Sequence, residues 1–315
     1  MIVFGPVPSR RLGRSLGINN IPPKKCSYSC IYCQVGNTDS MTIKRREYFS
    51  TDEIVNEVKI KIDQLKKAGK KIDYLTFVSD GEPTLDINLG ETIERLKIFG
   101  IKIAVITNSS LITNKEVRDD LMNADWVSVK IDSVYENIWR KINRPHGKLN
   151  LIDILEGIEE FAVLYKGTLV TETMLVSGVN DGIESLNKTV NRISTINPAK
   201  SYILVPTRPP CISTVRPPSE SSINTAYQIY SSLLKDVEFI AYNEGTEFCF
   251  FSDAASELLS ILAVHPMRKD AVERFISKSN SDWGIIKNLV ENNFIQKVEY
   301  NSEAYFLRKP LTFVN

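Results

Sequence analysis

Short apolar runs alternate along the chain with longer segments in which apolar positions recur every three or four residues. Apolar runs rich in Ile, Val, Leu and Phe are typical of strands covered on both faces of a sheet. The pattern predicts six such strands: Ser15–Ile21, Tyr74–Ser79, Lys102–Thr107, Trp126–Ile131, Thr168–Val176 and Ser201–Val205.

Helices are predicted between these strands. Ser50 and Glu53 are spaced as a capping box, in which a hydroxyl and a carboxylate each accept a hydrogen bond from a backbone N–H at the start of a helix. Ile54, Val58 and Ile62 then follow at helical spacing. Further helices are predicted at Asn88–Phe99, Asn114–Ala124, Leu151–Leu164, Gly182–Ile196 and Ser219–Leu234.

Six strand–helix units predict a parallel sheet with right-handed crossovers. Six units are too few for a closed eight-stranded barrel. We therefore expect an α/β fold, an open and partial (β/α)6 barrel, whose chemistry lies where strands end and helices begin.

The pattern changes near residue 250, where short helices are followed by a hairpin. The predicted elements are helices at Ala254–Val264, Arg268–Ile276 and Asp282–Asn292 and strands at Phe294–Glu299 and Ala304–Arg308. This order is that of a winged helix. We expect a barrel domain over residues 1–249 and a small winged-helix-like domain over residues 250–315, whose third helix has few cations for nucleic acid.

Composition narrows the class of protein. Of the 315 residues, 43% are apolar, which is enough for a substantial core, and the formal net charge is only +1. Such a charge gives no overall attraction to nucleic acid or to an anionic membrane. The amino terminus lacks the apolar run of a signal peptide, and no stretch approaches the ~18 apolar residues of a membrane span. A cytoplasmic protein with no membrane partner is expected.

Three of the five cysteines, Cys26, Cys30 and Cys33, lie within eight residues. The spacing Cys-x3-Cys-x2-Cys allows one loop to hold three thiolates around a compact soft-metal site. Structural zinc normally takes four ligands, and Cys211 and Cys249 are remote in sequence. Three thiolates on four irons would leave one iron open to a chelating ligand. The alternative is three buried, inert thiols.

This motif, with Tyr32 before the third cysteine, resembles the signature of the radical S-adenosylmethionine (radical SAM) superfamily. The resemblance implies that the three cysteines hold a catalytic [4Fe-4S] cluster whose open iron binds S-adenosylmethionine. It implies reductive cleavage of this cofactor to methionine and a 5′-deoxyadenosyl radical, which abstracts hydrogen from a substrate. It also implies an electron donor such as a ferredoxin or flavodoxin, and a position near the adenine for Tyr32.

The segment Gly81-Glu82-Pro83 after the second strand resembles the family's Gly-Gly-Glu-Pro segment, which binds the methionine amino group. Asp80 stands where the family has its first glycine. Glycine lets a backbone approach a ligand closely, and a carboxylate accepts hydrogen bonds from a cationic amino group.

Polar residues also end the third and fourth strands, at Asn108 and at Lys130 and Asp132. Such residues point into the crevice where α/β folds bind ligands. The resemblance suggests that Asp132 bonds the ribose hydroxyls and that Lys130 pairs with the methionine carboxylate. The alternative is that Asn108 and Asp132 cap the helices that follow.

Several charged residues are candidates for contact with the substrate. Arginine forks recognise carboxylate or phosphate, although the same residues could form a solvated or ion-paired surface. The candidates are Arg10, Arg11, Arg14, Asn143, Arg144, His146 and Arg208. Glu172 lies in an apolar strand, which predicts either an ion pair or a wet barrel interior. Cys211 is a candidate radical relay or a bystander.

Four further segments, Gly5–Gly13, Ser79–Leu85, Ile142–His146 and Pro206–Pro210, are similar to the wyosine-tRNA synthetase-like branch of the superfamily. Wyosine synthetases add a second cluster from upstream cysteines, whereas no cysteine precedes Cys26. A tRNA base is one expected substrate, and a protein or peptide side chain is another. The remaining alternative is a non-enzymatic iron–sulfur regulator that senses redox state and binds DNA through the winged helix.

Overall fold

The computed structural model describes residues 2–240 and 253–309. The strands in these ranges are β1 (Val3–Ser9), β2 (Gly13–Ile18), β3 (Lys25–Cys26), β4 (Ser40–Met41), β5 (Tyr74–Phe77), β6 (Lys102–Thr107), β7 (Trp126–Lys130), β8 (Thr168–Met174), β9 (Lys200–Leu204), β10 (Val237–Ile240), β11 (Met267–Arg268), β12 (Ile295–Tyr300) and β13 (Glu303–Arg308).

The helices in the same ranges are α1 (Thr51–Lys67), α2 (Leu89–Leu96), α3 (Lys115–Leu121), α4 (Glu136–Asn143), α5 (Leu151–Leu164), α6 (Ile183–Ile196), α7 (Glu220–Leu233), α8 (Ala254–Val264), α9 (Lys269–Lys278) and α10 (Gly284–Glu291). The capping box predicted for α1 is present, since Ser50 and Glu53 bond each other's backbone N–H groups.

An eight-stranded sheet, in the order β1-β2-β5-β6-β7-β8-β9-β10, forms the centre of the fold. From β2 onward the neighbouring strands are parallel, and β1 is antiparallel to β2. The α/β class and all six predicted strands are confirmed to within a few residues. The sheet has two more strands than predicted, one at each edge.

The missed elements have weak patterns. β1 contains Gly5, Pro6 and Pro8, and its register shifts between Phe4 and Val7, so it lacks a regular alternation. β10 has only four residues. The helix α4 is short and mostly polar in sequence, and only Trp139, Ile142 and Asn143 of its eight residues are buried. It therefore has too few apolar positions to show helical periodicity.

Two layers of apolar side chains surround the sheet. A large core lies between the sheet and the helices. A smaller one on the inner face gathers Trp126, Val170 and Tyr202, and Leu12 from the turn between β1 and β2 packs against them. That turn therefore packs on this face of the sheet, where its neighbour Arg11 contacts Glu172.

The C-terminal segment, defined here as residues 253–309, has a core of its own. The helices and hairpin predicted there are confirmed, and the short β11 joins the hairpin in the sheet order β11-β13-β12. A buried ion pair between Lys61 and Glu257 joins α1 to α8. The predicted boundary between residues 249 and 250, and Cys249, lie outside the described residues.

No helix within residues 2–240 and 253–309 has the length and apolar character needed to cross a bilayer.

Candidate active site

The three clustered cysteines lie in one loop, residues 26–34, here called the cluster loop. All three thiols are partly buried, and a backbone hydrogen bond of 3.1 Å from Cys33 to Cys30 folds the loop on itself. Burial raises the pKa of all three thiols, and that of Cys30 reaches about 12. Repulsion from Cys30 and Cys33 adds to the raised pKa of Cys26. The thiols therefore lie within electrostatic reach of one another.

Two asparagine amides contact the sulfur atoms. Asn108 Nδ2 lies 3.5 Å from Cys26 Sγ, and Asn143 Nδ2 lies 3.4 Å from Cys30 Sγ. Asn108 follows β6 and Asn143 ends α4, so the two donors approach the loop from different elements. Donors to sulfur stabilise thiolates and tune the clusters that thiolates hold.

Glu82 lies buried between the carboxyl ends of β5 and β6. Its carboxylate accepts hydrogen bonds from Thr84 N at 3.1 Å, Thr84 Oγ1 at 2.7 Å, Thr107 Oγ1 at 2.6 Å and Asn108 N at 2.7 Å. Burial raises its pKa, although these hydrogen bonds oppose the shift. The network fixes the orientation of the carboxylate beside Cys26.

The two residues before Glu82 are tightly packed. A Cβ atom added to Gly81 would lie 1.7 Å from the Lys25 carbonyl oxygen, so only glycine allows this approach to the cluster loop. Asp80, where the family has glycine, is buried and its Oδ1 has no hydrogen-bond partner. Burial raises the pKa of Asp80 to about 7. Sequence reasoning missed this carboxyl group as a feature of the site.

Asp132 connects Tyr32 to the neighbouring strands. Its Oδ2 accepts hydrogen bonds from the Tyr32 hydroxyl and, at 2.7 Å, from Asn143 Nδ2, and its Oδ1 accepts one from Met174 N at 2.8 Å. The capping alternative is wrong, because Asn114 caps α3 and Tyr135 precedes α4. Asn108 and Asp132 instead contact the cluster loop.

Glu172 is buried and ion-paired, which is the first of the two alternatives that its place in an apolar strand leaves open. Arg11 and Lys130 both contact its carboxylate, and Ser128 Oγ donates to it at 2.8 Å. Burial alone would raise the pKa of Glu172, but Arg11 and Lys130 lower it to about 2. Lys130 Nζ also lies 5.6 Å from the centre of the Tyr32 ring. Lys130 therefore lies between Glu172 and the cluster loop.

The predicted substrate contacts divide into two groups. Arg10 is half-buried, and burial together with Arg11 lowers its pKa to about 10. Arg208 contacts Gln34 of the cluster loop. Arg14 is instead exposed and pairs with Asp73 at 3.0 Å. Since Asp73 precedes β5, Arg14 lies at the opposite end of the strands from the cluster loop.

The segment after α4 pairs with the cluster loop through its backbone. Ser29 N donates to the Arg144 carbonyl at 3.1 Å, and His146 N donates to the Ser27 carbonyl at 2.9 Å. Asn143 and His146 were predicted as substrate contacts. Here the segment supports the loop, a role that the motif alone does not indicate.

A family profile described as the Radical SAM superfamily matches residues 20–191, a range that includes the cluster loop, Glu82 and Asp132. The chain belongs to the radical SAM superfamily. Members of this superfamily are enzymes, and membership implies a [4Fe-4S] cluster and S-adenosylmethionine.

Relatives of this radical SAM protein include a UPF0026 protein of Methanocaldococcus jannaschii, which is 46% identical over 98% of this chain and 96% of its own length. A UPF0026 protein of Helicobacter pylori is 35% identical over 66% of this chain and 67% of that protein. A probable GTP 3′,8-cyclase of Thermococcus kodakarensis is 29% identical over 50% of this chain and 47% of that protein.

Two solved structures have a similar fold. A radical SAM methyltransferase from Sphaerobacter thermophilus gives a TM-score of 0.53 at 14% identity, over 72% of this chain and 66% of that one. Streptococcus suis SuiB bound to S-adenosylmethionine gives 0.53 at 10% identity, over 71% and 49%. At these identities the likeness extends to the fold alone.

The residues of this radical SAM protein fit the implied cluster. Three thiols within eight residues of one loop are the donor set that a [4Fe-4S] cluster with one open iron needs. Among the described residues, no three Cys, His, Asp or Glu side chains are arranged to hold a single metal ion.

Proposed function

We propose that this chain is an enzyme in which Cys26, Cys30 and Cys33 hold a [4Fe-4S] cluster and S-adenosylmethionine is reductively cleaved. The observation that carries the proposal is the convergence of three thiols with Glu82 and Asp132 at the carboxyl ends of β5, β6 and β7. When bound, the cluster would supply the electron that yields methionine and a 5′-deoxyadenosyl radical.

The protein's own residues bind and orient the cofactor in this proposal. Glu82, fixed by four donors, accepts a hydrogen bond from the methionine ammonium group. Lys130 is the cation for the methionine carboxylate, and Asp132 accepts from the ribose hydroxyls. Burial would lower the pKa of Lys130, but Glu172 and Asp132 raise it, so this lysine stays charged. Tyr32 borders the adenine, with Gly81 and Pro83 shaping the backbone nearby.

The substrate proposed is an RNA base, as the wyosine-tRNA synthetase-like segments suggest. Relatives named GTP 3′,8-cyclase, one of them 33% identical over 162 residues, support a nucleobase substrate, because that name implies a nucleotide substrate. Arg10, Arg11 and Arg208 are the proposed contacts for an anionic group of the substrate. An electron donor such as a ferredoxin or flavodoxin is the proposed protein partner.

The proposal extends to the C-terminal segment, which we interpret as a winged-helix-like domain. It carries eight Lys or Arg and eight Asp or Glu residues, so it lacks the excess of positive charge that phosphate contacts require. The alternative of a DNA-binding redox sensor is therefore disfavoured. Buried Glu82 and Asp132 also oppose it, because a sensor has no need of a cofactor pocket.

Deuterium transfer tests the substrate part of the proposal. The reduced, cluster-loaded chain would be incubated with S-adenosylmethionine and deuterated candidates, first tRNA with labelled bases and then labelled peptides. Deuterium in 5′-deoxyadenosine from the tRNA alone is the expected result. Transfer from a peptide and not from tRNA would overturn the RNA assignment and favour modification of a protein.

A further inference from the structure

The loop after β9, residues 206–212, lies directly against the cluster loop and is called the bridging loop here. Cys211 N donates to the Cys33 carbonyl at 2.9 Å, and Ile212 N donates to the Ile31 carbonyl at 3.2 Å. The Cys211 thiol lies 3.1 Å from the Cys30 carbonyl and 3.2 Å from that of Ile31. The bridging loop therefore holds the peptide groups next to two of the three clustered thiols.

The other end of the bridging loop is held by the C-terminal segment. The Tyr300 hydroxyl donates to the Pro206 carbonyl at 3.2 Å, and the Tyr305 hydroxyl donates to the Thr207 carbonyl at 2.8 Å. Both tyrosine side chains are buried, on β12 and β13. Two hydroxyl groups of one hairpin thus bond two consecutive carbonyls of the loop.

Arg208 adds a third connection at the centre of the loop. Its guanidinium donates to Gln34, the residue after Cys33, and lies 3.5 Å from His265 Nε2 in the C-terminal segment. Residues 206, 207 and 208 therefore contact the C-terminal segment, and residues 208, 211 and 212 contact the cluster loop.

The bridging loop is stiff enough to transmit these contacts. Pro206, Pro209 and Pro210 each fix one backbone torsion, and these prolines span the distance between the two sets of bonds. A buried tyrosine hydroxyl normally finds a hydrogen-bond partner, so one such bond would have no functional meaning. Here both hydroxyls bond the loop that supports Cys30 and Cys33.

We propose that Tyr300, Tyr305 and Cys211 are positioning residues for the cluster. The two tyrosines act through the bridging loop, and Cys211 acts through its bonds to the Cys30, Ile31 and Cys33 carbonyls. Together they set how firmly the cluster is retained and its reduction potential. The inference rests on the cluster of the proposed function, and it makes the C-terminal segment part of the cluster site.

The first test uses the full chain with Tyr300→Phe and Tyr305→Phe combined, which removes two hydroxyls and keeps both rings. The matched control is Tyr165→Phe, because the buried Tyr165 hydroxyl also donates to a backbone carbonyl, that of Ala124, at 2.8 Å. Ala124 lies before β7, at the end of the barrel opposite the cluster loop. Iron release to a ferrous chelator and the midpoint potential would be measured on reconstituted proteins.

The double variant should release iron about twenty-five-fold faster than wild type, since it loses two hydrogen bonds and each loss weakens the support by a factor of about five. Its midpoint potential should also shift. Tyr165→Phe should lower the melting temperature, since it also loses a buried hydrogen bond, and it should leave the iron-release rate and the midpoint potential unchanged. Equal release rates and potentials in the double variant and the control would overturn the inference.

The second test compares Cys211→Ser with Cys211→Ala. Serine keeps an O–H donor for the Cys30 carbonyl, so it should retain iron nearly as wild type does, whereas alanine should release it several-fold faster. Rapid release from both variants would exclude a hydrogen-bonding role for Cys211. A wild-type chain that takes up no cluster would contradict both the proposed function and this inference, whereas a stable cluster insensitive to all four substitutions would contradict the inference alone.

Discussion

Buried carboxylates gather around the cluster loop, whereas in the C-terminal segment, as far as the structure describes it, only Glu257 is a buried charged residue, and it pairs with Lys61 of α1. In the barrel, Glu82, Asp132 and Glu172 are almost fully buried, and each accepts several hydrogen bonds. In the C-terminal segment, ion pairs such as Lys269–Glu273 are exposed. Buried charges are costly unless their surroundings are arranged for them, and exposed pairs contribute little. The buried, hydrogen-bonded charges therefore lie around the candidate site described above.

Removing the three thiols should have the largest effect on the candidate site. Replacing Cys26, Cys30 and Cys33 together with alanine should lower the iron content after anaerobic reconstitution from about four per chain to none, because the donor set is lost. Iron and sulfide analysis measures this. As a control, Cys249→Ala should keep full iron content. One zinc per wild-type chain and no sulfide would contradict the cluster assignment.

Glu82→Gln tests the cofactor pocket. The amide is nearly isosteric but lacks the charge that pairs with an ammonium group, so S-adenosylmethionine should bind about tenfold or more weakly. Equilibrium binding to the reconstituted protein measures the change. Glu57→Gln is a control expected to bind as wild type does, since Glu57 is half-buried on α1 and accepts its hydrogen bond from Ile2 N. Equal affinity of both variants for S-adenosylmethionine would show that Glu82 does not contact the cofactor.

Glu172→Gln should destabilise the protein by about 3 kcal/mol at neutral pH, because it leaves Arg11 and Lys130 without their shared carboxylate. The depressed pKa of Glu172, about 2, means that this stabilisation is present above the carboxyl's unfolded pKa of about 4.3 and is lost as pH falls towards 2. Urea unfolding at pH 7 and pH 3 should show the difference between wild type and variant shrinking at the lower pH. A difference independent of pH would contradict the ion pairing.

Lys287→Ala, on exposed α10, should have the smallest effect. The change in unfolding free energy should stay within about 0.5 kcal/mol, as for most surface substitutions. Fluorescence anisotropy with duplex DNA at ~150 mM salt should detect no tight binding in either protein. Submicromolar binding that Lys287→Ala abolishes would instead support the DNA-binding regulator.

Periodicity in the sequence predicted most of the secondary structure. The strands β5 to β9 are apolar runs covered on both faces, and this pattern is visible without tertiary information. The edge strand β1 escaped prediction because two prolines and a glycine interrupt its pattern of apolar residues. Its antiparallel pairing with β2 is a tertiary contact that this pattern does not reveal. The C-terminal elements were predictable because helical periodicity gives way to a hairpin around Asn301 and Ser302, both of which have positive φ.

The candidate site was only partly predictable. The cysteine motif and the strand-end positions of Glu82, Asn108 and Asp132 identify chemistry because their spacing is local. The pairing of Glu172 with Arg11 joins residues 161 positions apart, and no local pattern predicts it. Arg14 is only three residues from Arg11, yet its side chain is exposed and pairs with Asp73, whereas that of Arg11 reaches the buried Glu172.

The bonds of Cys211 to the cluster loop were equally invisible in sequence. They form because the chain after β9 returns to the loop that follows β2, although four strands, β5 to β8, separate β2 from β9 in the sheet. Sequence left Cys211 between a radical relay and a bystander. Its thiol, close to two carbonyl oxygens of the cluster loop, favours the positioning role proposed above.

The most direct test of the central claim is cleavage of the cofactor by the isolated protein. Anaerobically reconstituted chain would be mixed with S-adenosylmethionine and a strong reductant, and the products would be followed by liquid chromatography with mass detection. We expect slow formation of 5′-deoxyadenosine and methionine in equal amounts, abolished by replacing Cys26, Cys30 and Cys33. A fully cluster-loaded and reduced protein that forms no 5′-deoxyadenosine, alone or with tRNA or peptides, would contradict the central claim.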